Sequence, residues 1–147
     1  MRNDRRGKAI TTRGDSMEHQ GLSARAAFRP NPDWFTGDVS MRPVAGAPEY
    51  SSLRCMEVRF SPGARTNWHT HPAGQTLYVL SGEGRACLEG GEIVTLRPGD
   101  TVQFPPHVRH WHGAAPGSEM VHLAMQQEVD GEFTLWEEAV SDTDYGA

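Results

Sequence analysis

The sequence predicts an all-β fold, a single sandwich or small barrel of short antiparallel strands, and three observations lead there. Apolar residues arrive in short alternating runs rather than in stretches with helical period. Turn-forming segments separate those runs: Ser61-Pro62-Gly63-Ala64, Glu89-Gly90-Gly91 and Arg97-Pro98-Gly99-Asp100. The 16 Gly and 10 Pro are scattered through 147 residues, a length suited to one domain with one substantial core.

The runs can be taken in chain order. Leu53 to Phe60 alternates Met56, Val58 and Phe60 against Cys55, Glu57 and Arg59, as a half-buried strand does. Thr76 to Leu80 is rich in strand formers and ends at Ser81-Gly82-Glu83-Gly84. Gly84 to Leu88 and Glu92 to Leu96 flank Glu89-Gly90-Gly91 and read as a hairpin. The next turn has Pro98 and Gly99 where a type II turn needs them. Thr101 to Phe104 and Met120 to Gln127 complete the series. From Glu128 to Ala147 the chain carries seven acidic residues and no Lys or Arg. That segment is expected to wrap the surface, anchored by Trp136, with a short helix near Trp136 to Val140.

Residues 1–16 hold five of the fourteen basic side chains and no apolar period. A disordered basic arm is therefore expected over residues 1–25, leaving residues 26–147 as the single domain. The net charge of -5 argues against nucleic acid as a partner and favours a small-molecule ligand. No run approaches the about 18 apolar residues of a membrane span, and no apolar stretch follows the first arginines as an export signal requires. The expected address is the cytoplasm. Cys55 and Cys87 form no CxxC pair and are expected to be reduced, buried thiols.

The chemistry lies in the histidines. His69 and His71 are one residue apart, as are His110 and His112, and an extended segment turns both members of such a pair to one face. Both pairs can reach one ion, and spacing alone leaves open which of His110 and His112 closes the site. Imidazole suits zinc, iron, nickel and copper, and manganese when oxygen ligands join it. Gln75 follows His71 by four positions, where a carboxylate might have stood. By alternation Trp68 and Trp111 should face away from the ion, packing between sheets or at a dimer contact, while Trp34 and Phe35 close over the barrel or a partner subunit.

Gly63, five residues, His69-Thr70-His71, three residues, Gln75, six residues and Gly82 resemble the first motif of the cupin family, with Gln75 in place of its usual Glu. Gly99, five residues, Pro105, one residue, His107, two residues and His110 resemble the second. His107 stands where that motif has Gly, and Ala114 where an Asn is usual. The resemblance spans roughly residues 34–140. It implies the conserved β-barrel of cupins, a double-stranded β-helix or jelly roll, with a divalent ion in one mouth held by His69, His71, Gln75 and His110.

DWFTG at 33–37, PGARTNWHTHPAGQTL at 62–77, HWHGAAP at 110–116 and MVHLAMQ at 120–126 are similar to segments of small bacterial manganese cupins with hydroxynitrile lyase activity. That resemblance implies Mn(II), with Fe(II), Zn(II) or Ni(II) as other ions for the same ligands, and a homodimer or higher homo-oligomer. It implies His112, His122 and Gln126 as catalytic residues, and Met56 and Val58 as walls of the substrate pocket. Met56 is bulkier than the small residue that active lyases can carry. The expected reaction is cleavage of a cyanohydrin to aldehyde and HCN. His112 would move the proton, and His122 and Gln126 would orient the nitrile. An amide leaves uncancelled one unit of the ion's charge that a carboxylate would cancel, which favours Lewis-acid chemistry over oxygen activation. The alternatives are an Fe or Mn dioxygenase, an isomerase, cyclase or decarboxylase of a small metabolite, and a non-catalytic metal- or metabolite-binding sensor.

Overall fold

A computed structural model describes residues 17–46 and 48–147, so the arm expected over 1–25 lies, for residues 1–16, outside the described residues. The strands are β1 (Phe35–Thr36), β2 (Val39–Gly46), β3 (Leu53–Phe60), β4 (Arg65–Thr66), β5 (His69–Thr70) and β6 (Gln75–Gly82). They continue with β7 (Gly84–Leu88), β8 (Val94–Leu96), β9 (Thr101–Phe104), β10 (His110–Ala114), β11 (Met120–Gln127) and β12 (Leu135–Trp136), before one short helix, α1 (Asp142–Tyr145). Two antiparallel sheets result. One is five-stranded, in the order β2-β3-β11-β6-β9; the other is seven-stranded, in the order β1-β4-β10-β5-β12, with β7 on β10 and β8 on β7.

Alternation along the strands builds the core between the sheets. Strand β6 buries Gln75, Leu77 and Val79 and turns Tyr78 and Leu80 outward. With Val58, Phe60, Ala86, Leu96, Phe104 and Met120 these apolar residues form one cluster. Burial at about 25 cal/mol per Å² makes such a cluster the main source of stability. Cys55 and Cys87 are buried and free, as expected. Among the described residues no helix is long and apolar enough to cross a membrane.

Several expectations change in detail. Strand β6 begins at Gln75 and runs through Gly82, longer than the Thr76 to Leu80 read from sequence. Ser81-Gly82-Glu83-Gly84 is not a turn between paired neighbours, because β6 and β7 lie in different sheets. Only glycine fits at that crossing: Gly82 has φ +75 and a Cβ there would fall 1.7 Å from the Glu119 carbonyl oxygen. The hairpin after it forms as expected, with Gly84 opposite Leu96, although β8 starts at Val94 rather than Glu92. Strand β2 escaped notice because Pro43 and a register shift between Pro43 and Ala45 interrupt its pattern. A proline is tolerated there because β2 is an edge. Its other side is held by Phe28, which exchanges backbone hydrogen bonds of 2.8 and 2.9 Å with Met41, and Arg25 donates to the Pro43 carbonyl at 2.9 Å.

The helix expected near Trp136 to Val140 is absent. Leu135–Trp136 instead pairs with β5, and beyond it the Glu137 N–H donates to the Trp68 carbonyl at 2.9 Å while the Trp68 N–H donates to the Glu138 carbonyl at 3.0 Å. The helix comes later, where the Ser141 hydroxyl caps α1 by accepting the Asp144 N–H at 3.1 Å. Trp68 and Trp111 do face away from the histidines, but they do not pack between the two sheets. They form a separate cluster with Cys87, Val140 and Tyr145, under the C-terminal segment. Tyr145 donates its hydroxyl to the Ala114 carbonyl at 2.6 Å, and its ring lies 4.4 Å from the Arg65 guanidinium and 5.0 Å from that of Arg85.

Candidate metal centre

Strand pairing assembles the cluster. Strands β5 and β10 run antiparallel with His69 opposite His110. His71 follows β5 by one residue, and Gln75 opens β6 in the facing sheet. The His69 and His110 ring centroids are 4.2 Å apart, those of His69 and His71 5.0 Å, and those of His71 and His110 5.4 Å. One nitrogen from each of these three buried rings lies within 4.8 Å of the others.

Backbone carbonyls decide which nitrogen points inward. His69 Nδ1 lies 2.9 Å from the Asn67 carbonyl, His110 Nδ1 lies 2.9 Å from the Val108 carbonyl, and His71 Nδ1 contacts the Phe133 carbonyl. A carbonyl only accepts, so each Nδ1 carries the proton and each Nε2 presents a bare lone pair. The Nε2 of His71 is buried with no hydrogen-bond partner. Asn67 also spans the two ends of the domain, its amide donating to the Asp33 and Glu137 carbonyls at 2.9 Å each.

Gln75 completes the cluster with an oxygen. Its Oε1 is 3.3 Å from His110 Nε2, and its Nε2 donates to Gln126 Oε1 at 3.2 Å. Two acceptors thus face each other in a buried site. Burial lowers the His110 pKa to about 3, so a second ring proton is not available to bridge them. A cation between them relieves the conflict. Three neutral imidazoles and one amide oxygen with converging lone pairs therefore fit a divalent ion of the borderline class.

Burial also holds His69 well below the ordinary histidine range and lowers His71, with neighbouring imidazoles adding to the effect at His69. The same holds for His112, well below that range, and burial lowers His122 to about 4. All five rings are consequently neutral near pH 7.

His112 and His122 form a second layer. His122 Nε2 is 2.9 Å from His112 Nδ1, so the two share one proton, while His112 Nε2 and His122 Nδ1 have no partner. His112 lines a cavity of about 550 Å³; His122 lies behind it and does not. The other walls hold Met56 and Val58, which the resemblance implied as pocket walls, Gln126, which it implied as catalytic, and the aromatic residues Trp34, Phe35, Phe60 and Trp136. Trp34 stacks on Trp136 at 5.1 Å and Trp136 lies 4.7 Å from His69, so both ends of the domain roof the site. Phe104 stacks on His110 at 3.7 Å and also lines a second cavity of about 750 Å³, between β7, β8 and β9, which has no histidine on its wall.

Sequence reading thus located the cluster, the amide and the pocket but missed the residues that orient them. Asn67, Val108 and Phe133 act through main-chain carbonyls, which leave no side-chain signal. His107 has φ +62, the left-handed conformation of the glycine it replaces, and its N–H donates to the His71 carbonyl at 3.0 Å.

The cupin domain signature matches residues 56–126. An (R)-mandelonitrile lyase from Granulicella tundricola is 46% identical over 129 residues, covering 88% of this chain and 98% of that protein. The crystal structure of a cupin-like protein from Thermotoga maritima superposes with a TM-score of 0.76 at 35% identity, covering 89% of this chain and 95% of that one. A more distant match is an acireductone dioxygenase from Bacillus pumilus, 27% identical over 74 residues, covering 48% of this chain and 42% of that protein.

Proposed function

The chain belongs to the cupin family, and on that premise we propose that it is a divalent-metal hydroxynitrile lyase, cleaving a small cyanohydrin to an aldehyde and HCN. The observation that carries the reading is Gln75 Oε1 facing the proton-free His110 Nε2, beside an unpartnered His112 Nε2 on the cavity wall. The relative whose full length this chain matches at 46% identity, an (R)-mandelonitrile lyase, supports it.

His69, His71, Gln75 and His110 would hold the ion, which when bound supplies Lewis acidity for the negative charge that develops on the substrate oxygen. Manganese(II) is the ion we assign, with iron(II), zinc(II) or nickel(II) open to the same donors. The aromatic walls take the organic group of the substrate. We assign the proton shared with His122 Nε2 to His112 Nδ1, which leaves His112 Nε2 bare to accept the hydroxyl proton. As that proton leaves, the carbon–cyanide bond breaks and its electron pair departs with cyanide. The same imidazole then returns the proton to cyanide, so aldehyde and HCN are the only products. Since His122 does not reach the cavity wall, its part is to fix the His112 tautomer rather than to touch the nitrile. An amide in place of a carboxylate keeps more of the ion's charge for the substrate oxygen, which favours this chemistry over oxygen activation. Tyr78 and Leu80, each about two-fifths exposed on the outer side of β6, support the homodimer expected from sequence.

The test is release of cyanide and aldehyde from mandelonitrile by protein fully loaded with Mn(II). We expect turnover that is lost on chelation and falls at least about 100-fold in His112→Ala. A fully loaded, folded protein that releases no cyanide above the uncatalysed rate would overturn the lyase reading.

A further inference from the structure

Gln75 and Gln126 stand on neighbouring strands, one residue beyond the last paired positions, Thr76 and Met125. Their side-chain amides meet at 3.2 Å, with Gln75 donating and Gln126 accepting. A primary amide offers an oxygen on one side and an N–H pair on the other, so its contact on one side dictates what it presents on the opposite side. Here the Gln75 oxygen faces the histidine cluster because its nitrogen is taken up by Gln126. Turning both amides over together would preserve the contact between them. The same turn would aim an N–H at His110 Nε2, and an N–H repels a cation.

We propose that Gln126 is a positioning residue of the metal centre: its side-chain oxygen holds the Gln75 amide with the carbonyl directed at the ion. The inference rests on the reading of Gln75 as a ligand and gives Gln126 a part distinct from contact with substrate. Removing the acceptor leaves a buried Gln75 NH2 either unpaired or turned toward His110, and partners of this kind typically contribute about 10- to 100-fold in metal affinity.

The experiment measures the dissociation constant of Mn(II) for metal-stripped protein by competition with a chelator, with thermal unfolding as the control for folding. Gln126→Met should weaken Mn(II) about tenfold or more. Gln126→Glu, an acceptor with no donor, should bind Mn(II) at least as tightly as the parent. In a Gln75→Glu background the order should reverse. A carboxylate at position 75 welcomes the Gln126 amide as donor, whereas Gln126→Glu sets two carboxylates side by side and weakens binding.

Parent affinity in Gln126→Met, with Gln75→Ala impaired, would overturn the positioning role and leave the four-ligand site standing. Parent affinity in both Gln126→Met and Gln75→Ala, with His71→Ala impaired, would remove Gln75 itself from the site. Loss of binding in Gln126→Glu to the same degree as in Gln126→Met, both variants remaining folded, would also count against the proposal, since the acceptor is then not what matters.

Discussion

Gln75 Oε1 lies 3.3 Å from the Nε2 of His110, and neither atom carries a proton. Two buried lone pairs at that separation oppose each other unless a cation draws them together, so ion binding and folding should be linked. Mn(II) at 100 times its dissociation constant should stabilise the fold by about 2.7 kcal/mol. Thermal unfolding with Mn(II) and with excess chelator should show that gap, and Gln75→Ala should narrow it. Equal melting temperatures with and without metal in the parent would exclude the linkage.

The buried imidazoles set a pH dependence. The pKa of His110 is lowered to about 3 and that of His122 to about 4, while in the unfolded chain both return to about 6.5. Below about 6.5 the unfolded state therefore binds more protons, and metal-free protein should lose stability as pH falls toward about 4. At higher pH neither state is protonated at these rings and their contribution is flat. In NMR spectra the buried ring protons should not titrate between pH 8 and 5. A midpoint near 6.5 for any of the five site histidines would contradict their neutral burial.

The His112–His122 contact predicts unequal roles. His112→Ala removes the nitrogen on the cavity wall and should lower kcat at least about 100-fold. His122→Phe keeps the bulk but frees the His112 tautomer, so it should lower kcat less and shift the pH profile of kcat/KM. Identical profiles for the parent and His122→Phe would show that the tautomer is set elsewhere.

His107 is exposed and holds a backbone angle that glycine adopts freely. His107→Gly should raise stability by up to about 1 kcal/mol in urea unfolding, and His107→Val should lower it by more. Metal affinity should hold in the glycine variant, because the N–H that meets the His71 carbonyl remains.

Tyr145 ties α1 to β10 through the Ala114 carbonyl. Tyr145→Phe should cost about 1–2 kcal/mol in the same assay by leaving that buried oxygen with one partner fewer. Tyr145→Ala, which also exposes the Trp111 cluster, should cost about 3–5 kcal/mol.

The histidine pairs could be read from sequence because strand alternation is strict: one register placed His69, His110 and His112 on the inner side and Trp68 and Trp111 on the outer. Parity gives a side but not a depth: the resemblance implied that His122 orients the nitrile, and strand alternation could not show that its ring lies behind His112, off the cavity wall. Nor does parity show what covers an outer face. The cover over Trp68 and Trp111 comes from Val140 and Tyr145, far along the chain, and no local pattern announces it. Ser141 was the available sign that the helix begins after Val140, since its hydroxyl caps the first turn. Pro43 concealed β2 by breaking its alternation where an edge could absorb the break.

The Phe133 carbonyl that fixes His71 has a consequence for the order of events during synthesis. A nascent chain that has emerged through Gln127 already contains His69, His71, Gln75, His110 and Gln126, yet nothing holds the His71 proton on Nδ1 and Trp136 has not arrived to roof His69. Ion capture by the finished geometry must therefore follow translation of β11 and wait for β12, which brings Trp136. Until Phe133 has left the ribosome, no main-chain carbonyl is in place to fix the His71 tautomer.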